Sequence, residues 1–276
     1  MQFGSLRNRI ITSLPSDQRE RILALAEPLI LKKHMVLFDV DEPITSVYFV
    51  EDGVCSLVSV LSDGSAVESA TIGYEGVIGL PVFLGAVSMS AQAFMQVAGF
   101  GYRLSVPDFQ AEVERSPELR AALNRYTQAL IMLVSQTSAC NRRHSIEERC
   151  ARWLLLTHDR VTGDSFELTQ KFFALMLGVR RATVTVAAGK LQKASLIRYE
   201  RGVITVLDRA ALEAASCECY AIVRNEFARL QGGTPVANPM AGVSVSEDGR
   251  STVADAAASG RGRSDRVFSP SSARWK

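Results

Sequence analysis

Long apolar runs are missing from this chain. No uninterrupted stretch in its 276 residues is long enough to cross a bilayer, which takes roughly 20 apolar residues. The opening Met1-Gln2-Phe3-Gly4-Ser5-Leu6-Arg7 leads into no apolar segment, so no signal peptide and no membrane partner are expected. Histidine is scarce. His34, His144 and His158 stand alone, without the spacing of metal ligands. The five cysteines, Cys55, Cys140, Cys150, Cys217 and Cys219, are odd in number and scattered. That argues against a disulfide scaffold and for a reducing cytoplasm. Cys217 and Cys219 lie two apart on an expected helix and would point in different directions; one core thiol and one incidental one is the favoured reading, a metal or redox role the alternative. No Ser/His/Asp or Cys/His set is placed by motif, and there is no glycine-rich phosphate loop. Catalysis, a metal centre and a cofactor are therefore not expected.

Charge is present but unevenly placed. The whole chain is only +2, with 47% hydrophobic and 22% charged residues, as in a globular protein. Residues 1–110 hold seven Lys/Arg against twelve Asp/Glu. Residues 168–201 hold seven basic residues (Lys171, Arg180, Arg181, Lys190, Lys193, Arg198, Arg201) and one acid, Glu200. Positive charge concentrated on one segment is the electrostatic footprint of a phosphate-facing surface. The plainer reading is a solvated helix pair.

The sequence of that segment favours the phosphate. Thr169 can cap a helix carrying Phe172, Phe173, Leu175, Met176 and Leu177. Gly178 supplies a turn that needs positive φ. A second helix, over 180–194, would bury Val184, Ala188 and Leu191 and turn Arg180, Arg181, Thr183 and Thr185 outward. Next, Ile197/Tyr199 and Ile204/Val206 alternate with polar partners around Arg201-Gly202, a hairpin pattern. A helix-turn-helix followed by a hairpin is a winged helix. The expected DNA contacts are Thr169, Gln170, Arg180, Arg181, Thr183, Thr185 and Lys190, with Arg198 and Arg201 in the wing.

Other segments place this unit in the chain. Residues 1–29 read as a helical segment, with Ile22, Leu23 and Leu25 facing inward. Over 30–106, short Val/Ile/Phe/Tyr runs are broken by turn signals at Glu51-Asp52-Gly53, Ser62-Asp63-Gly64, Gly73-Tyr74-Glu75-Gly76 and Gly99-Phe100-Gly101. Many short strands predict an antiparallel β-roll or jelly roll. Helical periodicity resumes over 107–144. Leu119, Leu123, Tyr126, Leu130, Leu133 and Thr137 lie along one face, and Leu119, Tyr126, Leu133 and Cys140 are seven apart. That face can pack on the chain's own barrel or on a second copy; the helix's length favours a dimer. Ser145-Ile146-Glu147-Glu148 is a capping box opening the first helix of the unit at 145–230, with Cys150, Trp153, Leu154 and Leu155 in its core. A closing helix is expected from Asp208 to about residue 230. Residues 231–276 are rich in Gly, Ser, Ala and Pro and read as a disordered tail. The fold class is α+β.

A β-roll, a long helix and a winged helix, in that order, resemble the bacterial cyclic-AMP receptor protein and fumarate–nitrate regulator (Crp/Fnr) family over about 15–230. The most specific segments are Leu168-Thr169-Gln170, Leu177-Gly178-Val179-Arg180-Arg181-Ala182-Thr183-Val184 and Ile72-Gly73-Tyr74-Glu75-Gly76-Val77-Ile78-Gly79-Leu80. The resemblance implies a cytoplasmic homodimeric regulator on double-stranded DNA. If it activates, it would also contact RNA polymerase. It further implies a cyclic-nucleotide-binding-like roll, where Gly73, Glu75 and Gly79 match the first half of the family's phosphate cassette. The second half departs. No arginine lies between Lys33 and Arg103, and within residues 84–93, where that half would fall, only Ser88 and Ser90 offer hydroxyls. A desolvated phosphate needs a charged partner. The five residues Gly73, Glu75, Gly79, Ser88 and Ser90 thus mark an expected pocket for some other effector, the alternative being that Glu75 is a surface turn residue. No cysteine precedes Cys55, and no spacing suits an iron–sulfur cluster. On the reading helix, Ala182 and Val186 replace the family's glutamate and second arginine, so the operator should differ from the family's usual one. The competing function is an effector-binding module whose winged helix contacts protein.

Cyclic AMP is accordingly expected to leave the thermal midpoint unchanged, because only a ligand that binds the folded state raises it. A concentration-dependent rise in differential scanning fluorimetry would show that the missing arginine is replaced by another group.

Overall fold

A computed structural model of the protein describes residues 6–232 and the backbone of 243–245 and 251–253. Contacts divide the chain into two units, Met1–Pro239 and Met240–Lys276. Of the second, the strand pair β10 (Val243–Val245) and β11 (Ser251–Val253) is described; the rest of the expected tail beyond residue 232 lies outside the described residues.

The first unit opens with α1 (Arg9–Thr12) and α2 (Ser16–Leu25). Asn8 starts α1 by accepting from the backbone of Ile10 and Ile11, while its own amide donates to Val50 O and Gly76 O. On α2 only Ile22 is buried; Leu25, expected to face inward, is exposed at the helix end. Strand β1 (Glu27–Leu31) follows where helix was expected to continue to Pro28.

The β-roll is built from β1, β2 (Val36–Phe38), β3 (Ser46–Val60), β4 (Ala66–Ile72), β5 (Val77–Ile78) and β6 (Gln92–Ser105), all antiparallel, in the order β1-β6-β3-β4, with β2 on β6 and β5 on β3. The short helix α3 (Leu80–Phe83) bridges β5 and β6. Two expected turns are instead strand interior. β3 runs through Glu51-Asp52-Gly53, where the register shifts and Gly53 takes φ +92°. Opposite it, β6 runs through Gly99-Phe100-Gly101. A Cβ on Gly99 would lie 1.9 Å from Asp52 O, and one on Gly101 2.4 Å from Phe49 O. Glycine serves a bulge or a close strand approach as readily as a turn, and the sequence alone does not distinguish them.

Helix α4 (Val106–Arg115) is broken at Ser116 from α5 (Pro117–Arg143), a 27-residue helix. Ser116 caps α5 through Leu119 N. The face assigned to a partner chain is turned the other way. Leu119, Leu123, Tyr126 and Leu133 are buried within this chain, packed with the roll, and Leu130 and Thr137 are half-buried. A Cβ on Gly76 would meet the Tyr126 ring at 2.3 Å, so the roll's turn is shaped around that ring. Asn124, Gln128, Ile131, Ser135 and Ser138 form the exposed stripe.

Helix α6 (Ile146–His158) begins at the capping box on Ser145 and buries every residue from Cys150 to Thr157. One side meets the roll. Trp153 Nε1 donates to Glu68 Oε2 at 2.5 Å and Gln96 Nε2 to Thr157 Oγ1 at 3.3 Å. Just past the helix, Arg160 Nε and Nη2 both lie 2.9 Å from Glu75 Oε1. The C-terminal elements follow in the order β7 (Ser165–Glu167), α7 (Gln170–Met176), α8 (Arg181–Lys193), β8 (Ile197–Glu200), β9 (Val203–Val206), α9 (Arg209–Ala214) and α10 (Cys219–Leu230), and the other side of α6 meets α7, α8, α9 and α10. Strand β7 was not foreseen; it completes a three-stranded antiparallel sheet, β7-β9-β8. The closing helix is two helices, α9 capped by Asp208 and α10 starting at Cys219. Cys217 precedes α10, so the two thiols do not diverge along a helix; both face Cys140 in a small cluster apart from the main core.

Burial pushes the Glu68 carboxyl up to about 7, against hydrogen bonds from Ser56 and Trp153 and the charges of Arg160 and Arg152. The folded chain then keeps a proton that the unfolded chain loses near 4.5. Stability is full below that value and falls as pH rises towards 7. Glu68→Gln keeps the shape but cannot ionise. It is expected to flatten this fall, worth about 3 kcal/mol at most, in urea titrations across that window. An unaltered pH slope would place the titrating group elsewhere.

Candidate nucleic-acid interface

Thr169 caps α7, its hydroxyl accepting from Phe172 N at 3.2 Å. Leu177 closes the helix, Gly178 takes φ +63°, and the chain bends by 105° into α8. That is the angle range of helix-turn-helix pairs. Helix α8 buries Val184, Ala187, Ala188 and Leu191 against α6 and α7. Arg180, Arg181, Ala182, Thr183, Thr185, Val186 and Lys190 are exposed.

The wing turns at Arg201 (φ +50°) and Gly202 (φ +79°). Two successive left-handed residues make the type of two-residue turn whose twist matches paired strands. Leu168 N donates to Gly202 O at 2.8 Å, which ties the wing tip to the start of α7. Thr169, Gln170, Arg181, Tyr199, Arg201 and Gly202 consequently line one open groove between the two helices and the wing. Four of these were expected contacts. Tyr199 was read only as a strand residue. Its hydroxyl donates to Leu168 O at 2.7 Å, and burial pushes the phenol up to about 12, partly opposed by Arg181. It holds the groove floor as a neutral donor.

The remaining expected contacts are spread around this groove. Thr185 Oγ1 is 2.9 Å from Gln170 Oε1 and 3.0 Å from Arg181 O, so the two helices are tied by its hydroxyl. Lys190 lies towards the far end of α8 and ion-pairs with Glu147 of α6. This pairing holds the Glu147 carboxyl below its ordinary value. Arg198 is exposed on β8.

The residues expected to hold an effector do not converge. Glu75 is no surface turn residue: it is buried, accepts from Gly73 N at 3.1 Å and is paired with Arg160. Gly73 lies under the same arginine; a Cβ there would be 2.7 Å from Arg160 Cγ. Gly79 starts α3 with φ +98° beside Val47, and Ser90 Oγ donates to Asp41 Oδ1 at 2.6 Å. Ser88 is half-buried in the loop between. A cavity of about 300 Å³ does border Glu75 and Arg160, but its other walls are Arg9, Tyr74 of the same turn, Asp159 and side chains of α6 and α10, at the outer edge of the roll.

Residues 148–215 match the family model described as Crp-like helix-turn-helix domain. No curated protein sequence matches the chain. Among solved structures, FixK2 from Bradyrhizobium japonicum aligns with a TM-score of 0.60 at 19% identity, covering 70% of this chain and 98% of that one. A putative Crp/Fnr-family regulator from Eubacterium rectale gives 0.58 at 16% identity, over 74% and 95%. A CRP/FNR-family transcriptional regulator from Thermus thermophilus gives 0.57 at 21% identity, over 69% and 98%. A likeness at such identities speaks for fold, and the wing, the 105° bend and the roll all agree with it. The chain therefore carries a Crp-like helix-turn-helix domain on the fold of the Crp/Fnr transcription regulators.

Proposed function

We propose that this protein is a DNA-binding transcription regulator that works as a homodimer in the cytoplasm, with α8 entering the major groove. The observation that carries this reading is the groove itself. Arg181 of α8 and Arg201 of the wing flank it, and Arg180 and Thr183 stand exposed beside it. A duplex laid along α8 would bring phosphates to Thr169, Arg201 and Arg198, and base edges to Arg181. Arg181 can donate two hydrogen bonds to guanine O6 and N7, while Thr183 suits a phosphate or a thymine methyl. Ala182 and exposed Val186 offer only apolar contact, so base discrimination rests on Arg180, Arg181 and Thr183. Lys190 must leave Glu147 to reach a phosphate, which makes it a weaker contributor.

Dimerisation would run along the free face of α5, where Asn124, Gln128, Ile131, Ser135 and Ser138 have the four-and-three spacing of a seam and Ile131 is its apolar member. Ile131 is 55% exposed there, and Val134 beside it is 38% exposed. Two copies joined along this stripe would present α8 twice, to half-sites about 34 Å apart. The effector, if any, is some ligand other than a cyclic nucleotide held in the family's manner.

Arg181→Ala is expected to weaken specific operator binding by about 1–3 kcal/mol and to relax selectivity at one base pair. Wild-type affinity should fall steeply with salt as counterions are released. Mobility-shift titrations of genomic fragments at several salt concentrations measure both. Retention of no fragment at low salt, or equal binding by Arg181→Ala, would defeat the reading. Ile131→Asp should shift sedimentation from dimer towards monomer and lower operator affinity with it. A dimer that withstands this change would place the interface elsewhere.

A further inference from the structure

Four potential ligands meet at the base of the helix-turn-helix domain. Cys140 and His144 come from the last turn of α5 and the residue just after it; Cys217 and Cys219 come from the turn into α10. Their ligating atoms all lie within 4.8 Å of one another. Cys140 Sγ is 3.5 Å from Cys217 Sγ, and Cys219 Sγ is 3.4 Å from His144 Nδ1. The three thiols are buried, and the imidazole is 18% exposed. The geometry points to a mononuclear zinc-type metal site, with Cys140, His144, Cys217 and Cys219 as its tetrahedral ligands, that clasps the two ends of the helix-turn-helix domain together.

Three features carry this. The first is size. With zinc–sulfur bonds of about 2.3 Å, sulfurs on one tetrahedral ion lie about 3.8 Å apart, close to the separations here. A four-iron cluster would hold its thiolates on separate iron atoms and farther apart. The second is the outer shell. Gln136 Nε2 donates to Cys219 Sγ at 3.0 Å, the kind of outer-shell bond that orients a thiolate ligand. While Nδ1 of His144 faces the sulfurs, its Nε2 lies 3.3 Å from Glu218 Oε1. A ligating histidine commonly gives its second nitrogen's proton to a carboxylate in this way, which fixes the ring. The third is position. The Crp-like domain at 148–215 falls wholly between His144 and Cys217. One ion would join its entry to its exit and fasten both to α5.

Loading is proton-balanced. Three thiols release three protons to solvent as a divalent ion binds, and histidine ligates as the neutral ring. The resulting centre carries one net negative charge, and buried Arg152, bonded to Thr137 Oγ1 at 2.9 Å, is the cation beside Cys140. The sequence failed to show this site because the two ligand pairs lie 73 residues apart from His144 to Cys217 and because Cys217 and Cys219 do not share a helix.

The test uses the full chain, purified without chelator under reducing conditions. Elemental analysis is expected to find one zinc per chain. Exchange with cobalt(II) should give tetrahedral d–d bands and a thiolate-to-cobalt charge-transfer band. Cys219→Ser and Cys217→Ser should lose the charge-transfer intensity or shift it, His144→Cys should keep one equivalent, and Cys55→Ala and Cys150→Ala should leave the spectrum unchanged. Chelation should lower the thermal midpoint, and zinc should restore it. Folded wild-type protein that takes up no cobalt would overturn the site, as would an iron–sulfide chromophore, a Cys140–Cys217 disulfide that persists in reductant, or a spectrum indifferent to Cys219→Ser. The wild-type readings stand even if a variant fails to fold, and none depends on DNA binding.

Discussion

Helix α6 is the member on which both halves of the molecule rest. Its eight consecutive buried residues, Cys150 to Thr157, leave no face for water over two turns. One side carries Trp153 and the adjoining Arg160 into the roll; the other receives α8 and α9. Arg160 and Glu75 are each almost wholly buried, so neither charge is tolerable without the other. Removing one partner from such a pair costs about 3–5 kcal/mol, because the remaining charge is stranded. The pair ties the roll's β4–β5 turn to the end of α6.

The roll is shaped to receive these side chains. Gly73 leaves room for the Arg160 stem and Gly76 for the Tyr126 ring. A glycine–acid stretch that resembles a ligand cassette is here engaged by the chain's own arginine. Farther along, Gly178 sits against Val67 of β4, Phe172 packs edge-on to Phe94, and Lys33 pairs with Glu167. Helix α8 is therefore presented outward by a partner helix, α7, that leans on the roll.

The parts legible in advance share one property: their cause is local. Thr169 and Ser145 cap helices because their hydroxyls reach a backbone N–H three residues on. Gly178 and Gly202 turn the chain because positive φ is easy for glycine. The parts that were misread depend on distant residues. Leu119, Tyr126 and Leu133 have the same heptad spacing whether they meet a second copy or their own barrel, and the barrel claims them. Gly99 and Gly101 carry the composition of a turn, yet they admit a crossing strand about 50 residues away in sequence.

The amino-acid order by itself determined the winged helix, its basic face and the succession of roll, long helix and helix-turn-helix. Each follows from periodicity, capping and charge within a few residues. Only the tertiary structure decided which face of α5 is free, that Glu75 is answered by Arg160, and that Cys140, His144, Cys217 and Cys219 meet. Those outcomes require segments about 50 to 85 residues apart to be brought into contact, and no short-range pattern encodes where a folded chain returns upon itself.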